Sequence, residues 1–253
     1  MENDLVTVII PTYNRFKYLL NAIKSVKEQT YTNIEVLIVN DKSTEEEYYT
    51  FDFQKELGNN VNILHLEKNS KELYGFPSPG GHARNEGMKI AKGKYFAFLD
   101  DDDYFFPTKI EKQIKAMKEF NCQISCTDAM LGKGTYFKGI KCKKSYYCGS
   151  NWFPIKRKFT KFNKLDLLQE MFSKDVNVWG KDGLSVCNCT SGGSSIVIHR
   201  DIFKKAGGFP IMKYADDYAY WKKIVNYSNM LYLREHLTYL DKKHGSGINY
   251  KKK

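Results

Sequence analysis

The chain contains no apolar run that approaches the roughly 18 residues a helix needs to cross a bilayer. Its first residues, Met-Glu-Asn-Asp, lack the basic and apolar character of a secretory leader. We therefore expect a cytoplasmic protein. Attachment to the surface of a membrane stays open.

Cysteine spacing that would suit a metal is also missing. The six cysteines are Cys122, Cys126, Cys142, Cys148, Cys187 and Cys189. The two-residue spacing of zinc ligands does not occur among them, and no histidine lies at a suitable distance. Because a chain without a leader is expected to keep its thiols reduced, we expect core or loop cysteines.

Two phosphate-binding sequences are absent. The chain has neither a Walker sequence nor a Gly-x-Gly-x-x-Gly turn after its first strand, which excludes P-loop and dinucleotide-binding proteins. No RNA- or DNA-binding signature is present, so we expect no nucleic-acid partner.

Acidic residues are missing from residues 129–165, named the basic segment here. Ten Lys and Arg residues fall in it, and the formal net charge of the whole chain is +11. Aromatic residues are interleaved, and such mixtures bind nucleic acid, anionic lipid headgroups or phosphorylated small molecules. A solvated basic face explains the charge equally well. Weak periodicity predicts loops or short hairpins here, and residues 138–164 are a candidate for peripheral membrane contact.

Strand and helix patterns alternate along the first half of the chain. Strands are predicted at residues 6–10, 34–39, 61–66, 95–99 and 123–127, with helices at 19–26, 83–91 and 107–117. The second half is less regular, with strands predicted at residues 194–199, 230–233 and 238–241 and helices at 201–206 and 216–225. The alternation predicts an α/β fold with a mainly parallel central sheet and helices on both faces. We see no linker and expect a single domain, 1–253.

Four consecutive carboxylates, Asp100 to Asp103, directly follow the apolar run at residues 95–99. Burying ionised carboxylates without partners is costly, so a divalent cation, a ring of Lys and Arg, or water must neutralise them. Oxygen ligands favour hard cations such as Mg²⁺ and Mn²⁺. A solvated acidic turn is the plainer interpretation.

Three predicted strands end in polar residues that a parallel sheet brings to one edge. Residues 11–15 (PTYNR) follow the first strand, residues 40–43 (NDKS) the second, and the aspartates the fourth. An aromatic ring, an amide, a carboxylate and a metal site together suit a nucleotide. Gly80 and Gly81 precede Arg84, whose guanidinium offers several donors to phosphate oxygens.

These segments resemble the family 2 glycosyltransferases, which have the nucleotide-sugar-binding fold called GT-A. The resemblance is carried by residues 7–15 (TVIIPTYNR), 35–43 (EVLIVNDKS), 83–87 (ARNEG), 91–95 (AKGKY), 98–103 (FLDDDD) and 207–209 (GGF), and by Asp216 and Asp217 with Trp221. The chain has Asn40 where the family usually has Asp, and Lys42 where it often has Gly. Residues 130–190 match nothing in it.

The resemblance implies a role for each matched residue. The nucleotide-binding residues are Pro11, Thr12, Tyr13, Asn14, Asp41, Arg84, Asp100 and Asp101, and the metal ligands are Asp102 and His244. Among them, Thr12, Tyr13 and Asp41 are expected at the base, Asp100 at the ribose and Arg84 at the diphosphate. Asp217 is expected to be the catalytic base. Residues 1–128 would form the nucleotide-sugar-binding half, and residues 129–253 the acceptor-binding half.

The implied activity is an inverting transfer of a sugar that requires Mn²⁺ or Mg²⁺. The donor is a nucleotide-diphosphate sugar, with UDP-sugars favoured, and the acceptor is a hydroxyl of a glycan, a lipid-linked molecule or a protein. Two alternatives remain at this point. One is a glycoside hydrolase, which also needs paired carboxylates, and the other is a binding protein of the same fold without turnover.

Overall fold

The protein is described from a computed structural model. It describes residues 3–78, 80–144, 152–171, 176–188 and 190–244. Cys148 and Cys189 lie outside these ranges, as does part of the basic segment. Every helix in the described ranges is too short or too polar to cross a bilayer.

One sheet joins strands from both halves of the chain. The strands are β1 (Val6–Thr12), β2 (Ile34–Asn40), β3 (Val61–His65), β4 (Tyr95–Phe98), β5 (Tyr104–Phe105), β6 (Ile124–Gly132), β7 (Cys142–Lys144), β8 (Val176–Trp179), β9 (Val197–His199) and β10 (Met230–Asp241). Their order in the sheet is β3-β2-β1-β4-β9-β6-β10-β5, with β7 beside β6 and β8 beside β10.

The helices cover both faces of this sheet. They are α1 (Phe16–Lys27), α2 (Glu47–Thr50), α3 (Phe53–Leu57), α4 (Ser70–Tyr74), α5 (Gly81–Ile90), α6 (Lys109–Glu119), α7 (Trp152–Lys161), α8 (Leu165–Met171), α9 (Lys181–Val186), α10 (Arg200–Ala206) and α11 (Asp216–Ile224). A 3₁₀ turn, Gly193–Ser195, precedes β9.

Strand β1 shows why helices lie on both faces. Its residues are all buried, and side chains alternate between the two sides of a strand. Val8 and Ile10 pack in one core with residues of α1 and α6. Ile9 packs in the other core with residues of α5, α10 and α11. The predicted α/β architecture is confirmed.

The parallel part of the sheet brings the predicted strand ends together. Strands β3, β2, β1 and β4 are parallel neighbours. Thr12 at the end of β1 pairs in register with Asn40 at the end of β2, and the amide of Asp41 donates to the carbonyl of Thr12 at 2.9 Å. The aspartate run directly follows β4.

In the second half of the sheet, the strand directions differ from the mainly parallel arrangement that was predicted. Strand β9 is antiparallel to both β4 and β6, and β10 is parallel to β6 but antiparallel to β5 and β8. The two short strands predicted near the end form the single strand β10, with register irregularities on either side of His236. Polar residues at these irregularities interrupt the apolar pattern. For this reason the sequence predicted two strands where the structure has one.

The structure of the basic segment also differs from the prediction. Loops or short hairpins were expected, and β7 does pair with β6, but α7 follows within the segment and α8 begins at its last residue. In α7, Ile155 and Phe159 are buried one helical turn apart among largely exposed residues. The many lysines interleaved with aromatic residues led to the interpretation as loops or short hairpins.

Candidate active site

The four aspartates after β4 do not share one environment. Asp101, Asp102 and Asp103 are buried, whereas the side chain of Asp100 is 39% exposed. A solvated acidic turn is therefore excluded for three of the four. Their charges are met by other residues of the protein.

Arg15 supplies a cation to this cluster. Its Nη1 donates to Oδ1 of Asp101 at 2.9 Å and lies 3.2 Å from Oδ2 of Asp102. Its Nη2 donates to the carbonyl of His244. Burial alone would lower the pKa of Arg15, but Asp101, Asp102 and Asp100 raise it above its ordinary value. The sequence showed Arg15 only as part of a motif, because its contacts lie 86 and 229 residues away.

Even with Arg15 present, the buried carboxylates are hard to ionise. Burial and the neighbouring Asp101 raise the pKa of Asp102 to about 8, against the opposing effect of Arg15. Burial and Asp102 raise the pKa of Asp103 well above its ordinary value. Additional positive charge beside Asp102 would therefore favour its ionised form.

Two residues distant in sequence hold Asp103. The hydroxyl of Ser194 donates to Oδ2 of Asp103 at 2.5 Å and accepts from the amide of Asp100 at 3.0 Å. The amide of Asp241, at the end of β10, donates to Oδ1 of Asp103 at 3.0 Å. Asp103 thus fixes the aspartate run to the 3₁₀ turn and to β10.

Helix α6 forms a hydrogen bond with the 3₁₀ turn. Gln113 donates to the carbonyl of Ser195 at 3.1 Å, and its own carbonyl accepts from Nζ of Lys109 at 2.6 Å. Lys109 is fully buried, and this burial lowers its pKa to about 7.

His244 lies at the same edge of the sheet. Its Nδ1 is 2.5 Å from Oδ2 of Asp241, and its ring stacks on Tyr18 of α1 with the ring centroids 4.3 Å apart. A histidine whose other ring nitrogen bonds a carboxylate has the arrangement common for metal ligands. The side chain that stacks on it, Tyr18, also limits how far it can move.

Whether a metal suits this site depends on which oxygen atoms are free and on how many ligands lie nearby. Oδ2 of Asp102 is buried and makes no hydrogen bond, so it offers a hard oxygen atom that suits Mg²⁺ or Mn²⁺. Across the residues that the structure describes, no three His, Cys, Asp or Glu side chains converge as a metal site. A metal at Asp102 would therefore take further ligands from substrate phosphates and water, as Mg²⁺ commonly does.

The residues predicted at the nucleotide base lie together, and their polar atoms are engaged within the protein. The hydroxyl of Thr12 is 2.5 Å from that of Tyr48 and donates to Asp101 at 2.8 Å. The carboxylate of Asp41 accepts from the amide and the hydroxyl of Ser70, at 3.1 Å and 3.0 Å. These contacts fix the ends of β1 and β2 before any ligand binds.

The remaining residues of this group surround that edge. Pro11 is buried in β1, and Tyr13 is partly exposed. Asn14 has a positive φ of 51°, and its side-chain carbonyl accepts from the amide of Thr44 at 2.6 Å. Asn tolerates this left-handed conformation better than most residues, which lets the chain turn from β1 into α1.

Arg84 is almost fully buried beside Asp100, with which it forms an ion pair. Two glycines leave room for its guanidinium: a Cβ at Gly80 would lie 2.7 Å from Nη1, and one at Gly193 would lie 3.3 Å from Nη2. Burial alone would lower the pKa of Arg84, but Asp100, followed by Asp216 and Asp217, raises it. Arg84 is therefore a fixed, permanent cation.

Asp216 and Asp217 lie in the first turn of α11. Asp216 is 2% exposed, and its Oδ2 makes no hydrogen bond. Burial raises the pKa of Asp216 to about 6, against the opposing effect of Arg84. Asp217 is partly exposed, and its Oδ1 accepts from the amide of Tyr218 at 2.6 Å. Of the two, only Asp217 is open to a second reactant.

The arrangement brings a buried cation close to carboxylates from distant parts of the chain. Asp100 pairs with Arg84, and two adjacent glycines of one turn touch Arg84 (Gly80) and Asp216 at the start of α11 (Gly81). Such a site can hold an anionic group at the cation and accept a proton at an exposed carboxylate.

Comparison with known proteins agrees with this geometry. Residues 7–174 match the family model described as glycosyl transferase family 2, which is more than half of the chain. The protein therefore belongs to glycosyltransferase family 2, and the resemblance noted in the sequence is confirmed. The match also includes residues 130–174, so the expectation that residues 130–190 match nothing in the family was wrong for this part.

Individual relatives extend the comparison. An uncharacterized glycosyltransferase of Rickettsia prowazekii is 30% identical over 236 residues, which are 92% of this chain and 62% of the relative. The UDP-Glc:alpha-D-GlcNAc-diphosphoundecaprenol beta-1,3-glucosyltransferase WfaP of Escherichia coli is 34% identical over 137 residues, which are 54% of this chain and 51% of WfaP. The chain thus spans less than two thirds of the length of these relatives.

A solved structure shows the same fold. The crystal structure of S. aureus TarS 1–349 in complex with UDP-GlcNAc superposes with a TM-score of 0.66 and 22% identity, covering 97% of this chain and 60% of TarS 1–349. The predicted fold is therefore confirmed. The roles predicted for individual residues stay predictions.

Proposed function

We propose that the protein is an inverting, metal-dependent glycosyltransferase. It transfers a sugar from a nucleotide-diphosphate donor, with a UDP-sugar favoured, to an acceptor hydroxyl in glycan or glycoconjugate synthesis. The observation that carries the proposal is the buried Arg84, which pairs with Asp100 and lies near the first turn of α11.

Charge explains the role of Arg84 in this reaction. When the bond between the anomeric carbon and the diphosphate breaks, negative charge develops on the leaving oxygens. A buried cation that is already fixed stabilises this charge without reorganisation. Asp100 holds the guanidinium in place and is itself partly exposed, so it can meet the ribose.

Asp217 is the proposed base. The acceptor hydroxyl loses its proton as it attacks, and a partly exposed carboxylate across from the leaving group can take that proton. Its bond from the amide of Tyr218 fixes one oxygen. Displacement from the side opposite the leaving group inverts the anomeric configuration.

Asp102 is the proposed ligand of Mn²⁺ or Mg²⁺, with His244 as a second one. The metal would supply charge stabilisation at the diphosphate. Support comes from the buried Asp102 Oδ2 that makes no hydrogen bond and from a pKa of about 8, which additional positive charge would lower.

A UDP-sugar donor is supported by two comparisons. The name of WfaP contains UDP-Glc as its donor and a diphosphoundecaprenol-linked acceptor. TarS has been solved in complex with UDP and with UDP-GlcNAc. Asp41 at the end of β2 can accept from the N–H of a uracil ring. The acceptor of this protein is left open among a glycan, a lipid-linked molecule and a protein.

The test is release of free nucleotide from nucleotide sugars in the presence of Mn²⁺. We expect slow release that EDTA abolishes and that a matched acceptor accelerates. Asp217→Asn is expected to lower transfer by about 10²- to 10⁴-fold while nucleotide binding stays nearly intact, because the base acts only in the chemical step.

Asp182→Asn is the matched control, since Asp182 is also an acidic residue in the first turn of a helix. It should transfer as the wild type does. Unchanged transfer by Asp217→Asn would refute its role as base. Release that persists in Asp102→Ala with the same metal dependence would refute the metal assignment.

A further inference from the structure

The positive charge of this protein is concentrated in one segment. Residues 129–165 contain ten Lys and Arg residues and no Asp or Glu, and the whole chain has a net charge of +11. Outside the basic segment, acidic and basic residues therefore nearly balance. The excess positive charge therefore lies in this segment, where it is either solvated or bound to an anionic partner.

Helix α7 presents part of this charge on an exposed face. Ile155 and Phe159 point into the core, where the ring of Phe159 lies 6.1 Å from that of Trp179. The cationic residues of the helix are all exposed: Lys156, Arg157, Lys158 and Lys161. The α7 basic face is defined here by these four residues.

Few carboxylates neutralise the α7 basic face. Within the described residues, Lys156, Arg157 and Lys161 form no ion pair within 4.0 Å, and Lys158 contacts only the sulfur of Cys187, at 3.7 Å. By contrast, Lys164 beyond the helix lies 3.8 Å from Asp182. Among the described residues, then, no carboxylate neutralises these four cations.

Exposed apolar residues continue the surface at the C-terminal end of α7. Phe162 is 55% exposed, and Leu165, the first residue of α8, is 36% exposed. Large apolar side chains next to Lys and Arg are typical of surfaces that enter the headgroup region of a bilayer. A small phosphorylated molecule would gain nothing from this adjacent apolar area.

We propose that the α7 basic face, with Phe162 and Leu165, docks the protein on anionic lipid headgroups at a membrane surface. Helix α7 is about 15 Å long, so its four cations can meet several headgroups at once. Ile155 and Phe159 stay in the core, so the exposed residues of the helix, together with Phe162 and Leu165, are the ones that can contact the headgroups. This inference does not depend on the proposed catalytic activity.

The experiment measures binding of the whole protein to vesicles of phosphatidylglycerol mixed with phosphatidylcholine, and to vesicles of phosphatidylcholine alone. We expect binding to the anionic vesicles only, weakening as salt rises, because the Debye length is about 10 Å at 0.1 M. Arg157→Gln combined with Lys161→Gln should weaken binding about 25-fold, since each cation near an anionic surface contributes about fivefold.

Two further variants separate the contributions. Lys24→Gln combined with Lys27→Gln removes two exposed lysines from α1 and is the matched control, which should bind as the wild type does. Phe162→Ser should weaken binding to anionic vesicles without changing its salt dependence. Thermal unfolding of each variant shows whether the fold is intact, whatever the outcome for transfer.

Three outcomes would overturn the proposal. Equal binding to both kinds of vesicle would remove the role of charge, and an equal loss in the α1 control would remove the role of α7. If the α7 variant instead loses binding to a soluble acidic polysaccharide while vesicle binding is unchanged, the face recognises an acidic glycan.

Discussion

Two adjacent carboxylates, Asp216 and Asp217, have different environments at the start of α11. Asp216 is buried beside Arg84, with one oxygen that makes no hydrogen bond, and Asp217 is partly exposed. A buried charge that only part of its surroundings compensates reduces stability. The ionised carboxylate of Asp216 therefore lowers the stability of the folded protein.

The pH dependence of Asp216→Asn measures this cost. Burial raises the pKa of Asp216 from 3.8 to about 6, so between these pH values the folded state binds more protons than the unfolded state. The contribution of Asp216 to stability therefore falls as the pH rises through this window. We expect Asp216→Asn to raise the free energy of unfolding at pH 7 by up to about 3 kcal/mol. Near pH 4 the gain should vanish.

Urea unfolding at both pH values provides the measurement. Asp217→Asn is the control, because its carboxylate is not buried and its removal should bring no comparable gain. A gain at pH 7 that equals the gain near pH 4 would show that the pKa of Asp216 is not raised.

Helix α5 contacts the start of α11 at Gly81. A Cβ at this position would overlap Oδ2 of Asp216, closer than real Cβ atoms come to any neighbour. The φ of Gly81 is not in the left-handed region, so the constraint at this position is contact and not backbone strain. The start of α5 thus sets where the carboxylate of Asp216 can lie.

Gly81→Ala is expected to displace that carboxylate. We expect a loss of stability of about 1 to 3 kcal/mol from overpacking. We also expect weaker binding of UDP, because a displaced carboxylate of Asp216 would shift Arg84 with it. Gly180→Ala, next to the start of α9, is the control, since a Cβ there lies 3.3 Å from its nearest neighbour, Oδ1 of Asn229. Thermal unfolding and UDP titration compare the two variants, and equal effects would contradict the contact argument.

The elements also differ in how far the sequence could predict them. Strands β1, β2 and β4 are buried on both faces, so continuous apolar runs identified them. Helix α7, in which Ile155 and Phe159 are buried one turn apart, lies in the basic segment, which was interpreted as loops or short hairpins. The predicted strand ends did converge. Arg15 was predicted at the same edge of the sheet as the aspartates. Its ion pairs with them, and the contacts of Ser194 and Asp241 with Asp103, were not predicted, because they join residues far apart in sequence.

At the scale of the whole molecule, Arg15 joins three distant parts of the chain. Its guanidinium contacts Asp101 and Asp102 after β4 and the carbonyl of His244 after β10. His244 in turn stacks on Tyr18, one turn into the helix that begins after Arg15. The start of α1 and the end of β10 are thereby held against the aspartates.

Arg15→Gln is expected to cost about 3 kcal/mol of stability, because it leaves buried carboxylates without their cation. On an Asp101→Asn background the same change should cost less, by a coupling free energy of about 1 to 3 kcal/mol. Lys42→Gln is the control. It breaks a pair of 2.8 Å with Glu72 in which both side chains are over 40% exposed, and its cost should stay below about 1 kcal/mol. Additive costs in the urea-unfolding cycle would contradict the coupling.

The contacts of Asp103 with Asp241 have a consequence for how the protein is made. Every strand of the parallel half has been synthesised by residue 98, yet Asp241, whose amide donates to Asp103, and His244, whose carbonyl accepts from Arg15, lie at and beyond the end of β10. A nascent chain on the ribosome therefore lacks these contacts until β10 has emerged from the exit tunnel and inserted between β6 and β5.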